Sequence, residues 1–356
     1  MMLDRTLRTV ADHLLTLAYR TWSFGDSVAF EGMVAASSVL ADDRWLQFAR
    51  GFTRAWATRA EPYVRLDCTA PGLAMVQIYR ATRDPLVLQA ALGLAQYLVT
   101  RPRIDGVFAT WEHSPLQEPY GPEHLSTPEE ALLANPPAGV FSDCLHFDPP
   151  FMVALGAASG KPELVEEGAR QAAGYVRLLQ TDSGLFDHFV LEGSPRTYGP
   201  GWGRGQGWAL LGLLDVLDEL PTGHPCRPEL AGAAARLITA MIRLQRDDGH
   251  WHAVVDDPAS GDETSTAAFM AAGMLQAARS SISGDEARAA SHRALEAALK
   301  STGKDGILAG VSAAVNASTN PSHYAHVPRG FVVPWGQGPL ALALAERLRE
   351  EGAPAR

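Results

Sequence analysis

Apolar residues recur at three- and four-residue spacing along most of the chain, in runs bounded by Gly, Pro, Asp or Ser. That period predicts helices at 4–20, 28–41, 43–58, 70–82, 85–100, 148–159, 162–179, 204–219, 228–244, 262–279, 285–300 and 336–350. No stretch sustains the period-two alternation of β-branched and aromatic residues that a strand shows, so the chain reads as all-α. The helices alternate in character. Those at 28–41, 70–82, 148–159, 204–219, 262–279 and 336–350 are rich in Ala, Gly, Met and Leu with few charges, as a helix buried nearly all round is. The intervening ones carry a polar stripe, as in Pro162–Arg177, and belong on the outside. Between 101 and 140, seven prolines and no clear helix predict a long loop that shapes one side of a pocket.

A short Gly-containing turn follows an outer helix four times, at Asp105–Phe108, Ser183–Phe186, Asp248–Trp251 and Asp305–Leu308. Six hairpins, each with an inner and an outer helix, predict a closed (α/α)6 barrel that takes in 1–356 as one domain. If the inner helices run in parallel, their N-termini and the Gly turns meet on one rim. Six helix N-termini bring free N–H donors and a partial positive field there, which suits an anionic ligand.

That rim gathers Asp26, Asp67, Asp143, Asp148, Trp202, Arg204, Asp262, Glu263, Trp335 and Gln337 from the inner-helix starts, and Trp111, Glu112, His113, Asp187, His188, His250, Trp251 and His252 from the turns. Aromatic faces for a ring, acids for proton transfer and a cation for a carboxylate are what an acidic-sugar site needs. Each member also has an ordinary reading. Asp26 and Asp262 read as helix N-caps, and Asp67 and Asp143 as either caps or chemistry. Trp202, Trp208, Trp251 and Trp335 read as either core or site, and His188 as a satisfied histidine or a ligand. The histidines show no metal-ligand spacing.

With 30 Lys and Arg against 40 Asp and Glu, the net charge of −10 argues against nucleic acid or an anionic membrane as partner. The longest apolar run, Ala267–Leu275, falls far short of the roughly 20 residues of a membrane span. Charges through the first thirty residues interrupt any signal-peptide core, which points to the cytoplasm. Cys68, Cys144 and Cys226 are odd in number and lack C-x-x-C spacing, against a disulfide framework or zinc site.

Phe141–Gly156, Gly184–His188 and Gly201–Ala209, in that order and spacing, resemble the unsaturated uronyl and rhamnogalacturonyl hydrolases of glycoside hydrolase families 88 and 105. The resemblance runs upstream to Leu66–Gly72 and Tyr79–Asp84, downstream to Asp256–Ser265 and, more weakly, from Gly310 to Gly338. It implies an (α/α)6 barrel that removes a 4,5-unsaturated uronic acid from the non-reducing end of lyase-generated acidic oligosaccharides. The reaction implied is hydration of the enol ether, with Asp143 as general acid/base and Asp67 as the assisting carboxylate. Two carboxylates sharing a buried site push one of them towards its protonated form. His188, Trp202, Arg204 and Trp208 match binding residues of the family, and Phe141 and Trp335 join them as substrate contacts. No cofactor or metal is implied, since acid, water and positioning suffice. The partner implied is the oligosaccharide, with a homodimer the assembly left open. Phe141 stands where the family usually has Trp, Gln206 where Asn is usual, and His146–Pro150 and Pro334–Trp335 are also unusual. The competing readings are another (α/α)6 carbohydrate enzyme, such as a sugar epimerase, an inverting glucanase or a lyase, and a non-catalytic sugar-binding protein.

Overall fold

A computed structural model describes residues 2–19, 24–58, 71–112 and 114–352. Its outer helices are α1 (Met2–Leu14), α3 (Arg44–Ala57), α5 (Pro85–Val99), α8 (Pro162–Leu179), α10 (Arg227–Leu244) and α12 (Asp285–Lys300). Its inner helices are α2 (Phe24–Leu40), α4 (Gly72–Thr82), α7 (Cys144–Ser159), α9 (Gly203–Glu219), α11 (Ser265–Arg279) and α14 (Pro334–Gly352). Each inner helix packs on the next, α2 on α4, α4 on α7, α7 on α9, α9 on α11 and α11 on α14, and α14 returns to α2. The ring is closed, and the fold is the (α/α)6 barrel that the alternation predicts.

Small residues let the inner helices approach closely, and the contacts give their direction. Gly25 meets Trp335 while Gly32 meets Ala341, and Gly203 meets Thr266 while Gly207 meets Phe269, so α2 runs parallel to α14 and α9 to α11. At Gly338 a Cβ would stand 2.6 Å from the Val28 carbonyl oxygen and 2.8 Å from the Ala29 nitrogen, backbone atoms that cannot swing aside. Gly338→Ala therefore wedges α14 from α2. The expected cost is about 1–3 kcal/mol, read as a lower urea midpoint at unchanged slope.

The four Gly turns recur as one structure. Gly106, Gly184, Gly249 and Gly306 all take a positive φ between 82° and 89°, which glycine alone adopts freely. A glutamine holds each turn: Gln171 takes the Phe108 N–H and donates to the Gly106 carbonyl, Gln180 donates to Gly184 and Gln245 to Gly249. Gln337 does the same between Gly306 and Leu308.

Three features differ from the sequence expectation. The 101–140 segment contains a helix, α6 (Thr127–Ala134), closed by a capping box in which Ser126 and Glu129 satisfy each other. A further one-turn helix, α13 (Ser322–Ala325), lies before α14. The described residues also hold short strands, β1 (Arg103–Ile104) with β2 (Val107–Phe108), and an antiparallel sheet of β3 (Gly139–Phe141), β4 (Phe189–Leu191) and β5 (Thr197–Tyr198) in that order. Strands of two or three residues are too short to show a period. No described helix is long and apolar enough to cross a membrane.

Candidate active site

The small sheet sets the site. In β3 and β4, Phe141 pairs with Phe189, and just past that pair the Ser142 N–H donates to the His188 carbonyl at 2.7 Å. The chain ends β3 and turns into α7 at Asp143, while His188 enters β4, so the two side chains come together. His188 Nε2 lies 3.9 Å from Asp143 Oδ2. Asp143 stands at the N-cap position of α7 but makes no side-chain cap hydrogen bond, so the capping alternative does not describe it. Its Oδ1 is shielded from solvent with no hydrogen-bond partner.

A cleft of about 490 Å³, counted out to open solvent, is lined by Phe24, Trp111, Phe141, Asp143, His188, Trp202, Arg204 and Val315–Ala317. The starts of α2, α7 and α9 meet there, as the parallel inner ring requires. Phe141 lies flat on Phe189, ring centroids 4.9 Å apart and 7° from parallel, and edge-on to His188. Trp202 packs on the other side of His188 at 4.4 Å.

Arg204 is 1 % exposed. Its Nη1 donates to Ser312 Oγ at 2.6 Å and lies 3.5 Å from Glu263 Oε1, and its Nη2 donates to the Ala313 carbonyl at 2.9 Å. Its Nε has no partner. Burial pushes this guanidinium below its usual range, with Glu263 and Asp143 working the other way. Glu263 in turn accepts from Ser265, Thr266 and the Ser312 N–H. Arg204 is thus a cation held in a preset orientation at the cleft wall.

The remaining candidates fall in three places. Trp335 borders the site, stacked on Phe24 at 4.8 Å with its indole N–H on the Ser312 carbonyl. Trp208 is fully buried among His146, Phe147 and Phe269 inside the ring and does not line the cleft, so the expected sugar contact gives way to the core alternative. Trp251 is also core, its indole N–H on the Met241 carbonyl. Asp67, Cys68 and His113 lie outside the described residues. The two expected caps are corrected: Asp26 sits buried within the first turn of α2, and Asp262 is exposed and paired with Arg246. Glu263 does the work at α11, accepting the Thr266 N–H at 3.1 Å. Gln206 is structural, holding Phe186 through both backbone groups.

Beneath the site His146, singled out as unusual, lies between carboxyls of two other inner helices, α2 and α9, with Nε2 3.2 Å from Glu31 Oε2 and Nδ1 3.6 Å from Asp215 Oδ2. These three residues are close enough to hold a cation. The imidazole, however, turns a different nitrogen to each carboxyl, which is the geometry of a bridge between two acids. Burial, with Glu31 adding to it against the opposing pull of His146, pushes the Asp215 carboxyl up to about 7. Burial works against charge on His146, yet Glu31, then Asp215 and Asp143, hold it above its usual range. Both folded values exceed the ordinary ones, so between about pH 4 and 7 the native state binds protons that the unfolded chain has released, and stability falls as pH rises. The melting temperature of the wild type should drop from pH 5 to pH 8 more than that of Asp215→Asn; parallel profiles would refute this.

The chain matches the model of Glycosyl Hydrolase Family 88 over residues 3–351 and belongs to that family, so it is a glycoside hydrolase. It is 24 % identical to the unsaturated rhamnogalacturonyl hydrolase YesR of Bacillus subtilis, covering 97 % of this chain and 96 % of that one. Over 126 residues, 33 % of this chain and 30 % of the other, it is 29 % identical to an unsaturated 3S-rhamnoglycuronyl hydrolase of an Alteromonas species. A solved structure from Salmonella enterica serovar Paratyphi A, described as a possible member of the GH105 family, superposes with a TM-score of 0.82 at 24 % identity, covering 98 % of this chain and 94 % of that one.

Proposed function

We propose that the enzyme removes a 4,5-unsaturated uronic acid from the non-reducing end of lyase-generated acidic oligosaccharides by hydrating the enol ether. Membership of the family and the names of its relatives support the substrate class. The observation that carries the chemistry is the place of Asp143 in the cleft, its Oδ1 without a hydrogen-bond partner and His188 Nε2 3.9 Å from its Oδ2. Hydration uses one acid, which protonates C4, leaves a cation shared by C5 and the ring oxygen, and then takes a proton from the water that adds at C5. The hemiketal so formed opens and releases the neighbouring sugar. In this reading Asp67 assists Asp143, Arg204 and His188 meet the uronate and its hydroxyls, and Phe141, Trp202 and Trp335 supply apolar faces. The reading sets the reaction in the cytoplasm.

The test is the ultraviolet absorbance of the conjugated enol ether, followed on a panel of lyase-generated unsaturated galacturonyl and glucuronyl disaccharides. Loss of absorbance on at least one member is expected. Stable absorbance on all, with sugars interconverted or merely bound, would move the assignment to an epimerase or a binding protein.

A further inference from the structure

The stretch between α12 and α14 has no helical or strand period, yet besides Val315–Ala317 at the cleft wall it delivers a tyrosine onto the site's histidine. Tyr324, on α13, is buried with its ring edge-on to His188, centroids 5.5 Å apart. Its hydroxyl lies 2.6 Å from His188 Nδ1. The other ring nitrogen faces a carboxyl, an acceptor when ionised, so Nδ1 is left as the acceptor and takes the phenolic proton. A neutral imidazole then carries its own proton on the other nitrogen, Nε2. That nitrogen faces Asp143 Oδ2 at 3.9 Å. The chain makes room for this contact: Gly199 has φ +67°, and a Cβ there would collide with the Tyr324 hydroxyl and come within 2.6 Å of His188 Cβ.

We propose that Tyr324 is a positioning residue for the hydration, fixing His188 as the Nε2–H tautomer and aiming that N–H at the Asp143 carboxyl. The proposal rests on Asp143 being the acid. As Asp143 passes its proton to C4, the carboxylate left behind gains a donor already in place; when it recovers a proton from the attacking water, His188 and Tyr324 are as they began. In the opposite tautomer the imidazole would present a lone pair to that carboxylate and oppose the step.

Tyr324→Phe keeps the ring and removes the hydroxyl. The expected result is a fall in kcat of about 10-fold with KM within about twofold, the loss of one hydrogen bond used in the transition state. Long-range 15N NMR of histidine-labelled protein, with His188 assigned by the signals missing in His188→Gln, should show the Nε2–H pattern in wild type and a tautomer mixture in Tyr324→Phe. An Nδ1–H pattern in wild type overturns the proposal. So does a Tyr324→Phe enzyme with unchanged kcat and unchanged nitrogen shifts, even if it melts at a lower temperature. Wild type that consumes no unsaturated disaccharide defeats the functional reading instead, and the nitrogen shifts still decide the tautomer.

Discussion

Asp143→Asn should lose at least about 1000-fold in kcat on the unsaturated disaccharide that the wild type consumes, because general acid–base catalysis contributes roughly 100- to 10,000-fold and this residue fills both roles in turn. An amide can neither give a proton to C4 nor take one from water. The fold should be untouched, and the reason is local. The Asp143 side chain caps nothing, and its Oδ1 has no hydrogen-bond partner to lose. The isosteric amide therefore removes no native hydrogen bond, and the melting temperature should stay within about 2 °C, a change below about 1 kcal/mol. Absorbance decay under single-turnover conditions and a thermal melt measure the two halves separately. Full activity in the variant would remove Asp143 from the chemistry, whereas loss of activity with loss of fold would make it a structural residue.

How much of this the sequence carries depends on the scale of the signal. Helices of eleven to nineteen residues repeat their period several times, so the alternation of apolar and polar-striped helices predicts every member of the two rings. Their ends are less legible. The period predicts α7 from 148, yet the helix starts at Cys144 and holds Pro149 and Pro150 inside. One consequence is visible across the ring. A Cβ at Gly212 would collide with the Leu145 carbonyl, one of those that the prolines leave without an N–H partner, so α9 closes on α7 there. The first helix stops at Leu14 rather than at 20, where the Tyr19 hydroxyl donates to the Leu14 carbonyl.

For the site, Asp143, His188, Trp202, Arg204 and Phe141 can be read from motif order, because they flank helix starts and turns that the pattern already marks, and they meet in one cleft. Trp208 belongs to the same motif but lies in the second turn of α9, where the helix is buried all round. Tyr324, Ser312 and Val315–Ala317 fall in the stretch of weaker resemblance and carry no periodic signal, since they come from irregular backbone whose path is set by tertiary contacts. The same holds for the clamp on His146. Its partners Glu31 and Asp215 come from two other inner helices, and nothing in their neighbours' sequence announces a shared environment.

Arg204 allows its two roles to be separated. Replacing it with Met leaves Glu263, 3 % exposed, as a buried carboxylate that has lost its cation, and breaking such a pair costs about 3–5 kcal/mol. Arg204→Met alone should therefore melt several degrees below wild type and fail to bind an acidic disaccharide, a result that confounds stability with recognition. Adding Glu263→Gln removes the orphaned charge, and its single amide oxygen keeps one of the two backbone N–H groups that the carboxylate holds, Ser312 on Oε1 or Thr266 on Oε2. The double variant should regain the part of the lost stability that comes from the orphaned charge, as neutral replacement of a buried ion pair commonly does. It should not regain binding, because no cation then faces the uronate. Calorimetric titration with the unsaturated disaccharide, beside a denaturant curve for each protein, separates the outcomes. If affinity returns along with stability, Arg204 is a strut for the loop at Ser312 and Ala313, and the carboxylate of the sugar is read elsewhere. If stability alone returns, the guanidinium both orders that loop through its two hydrogen bonds and supplies the cation that the carboxylate of the sugar requires.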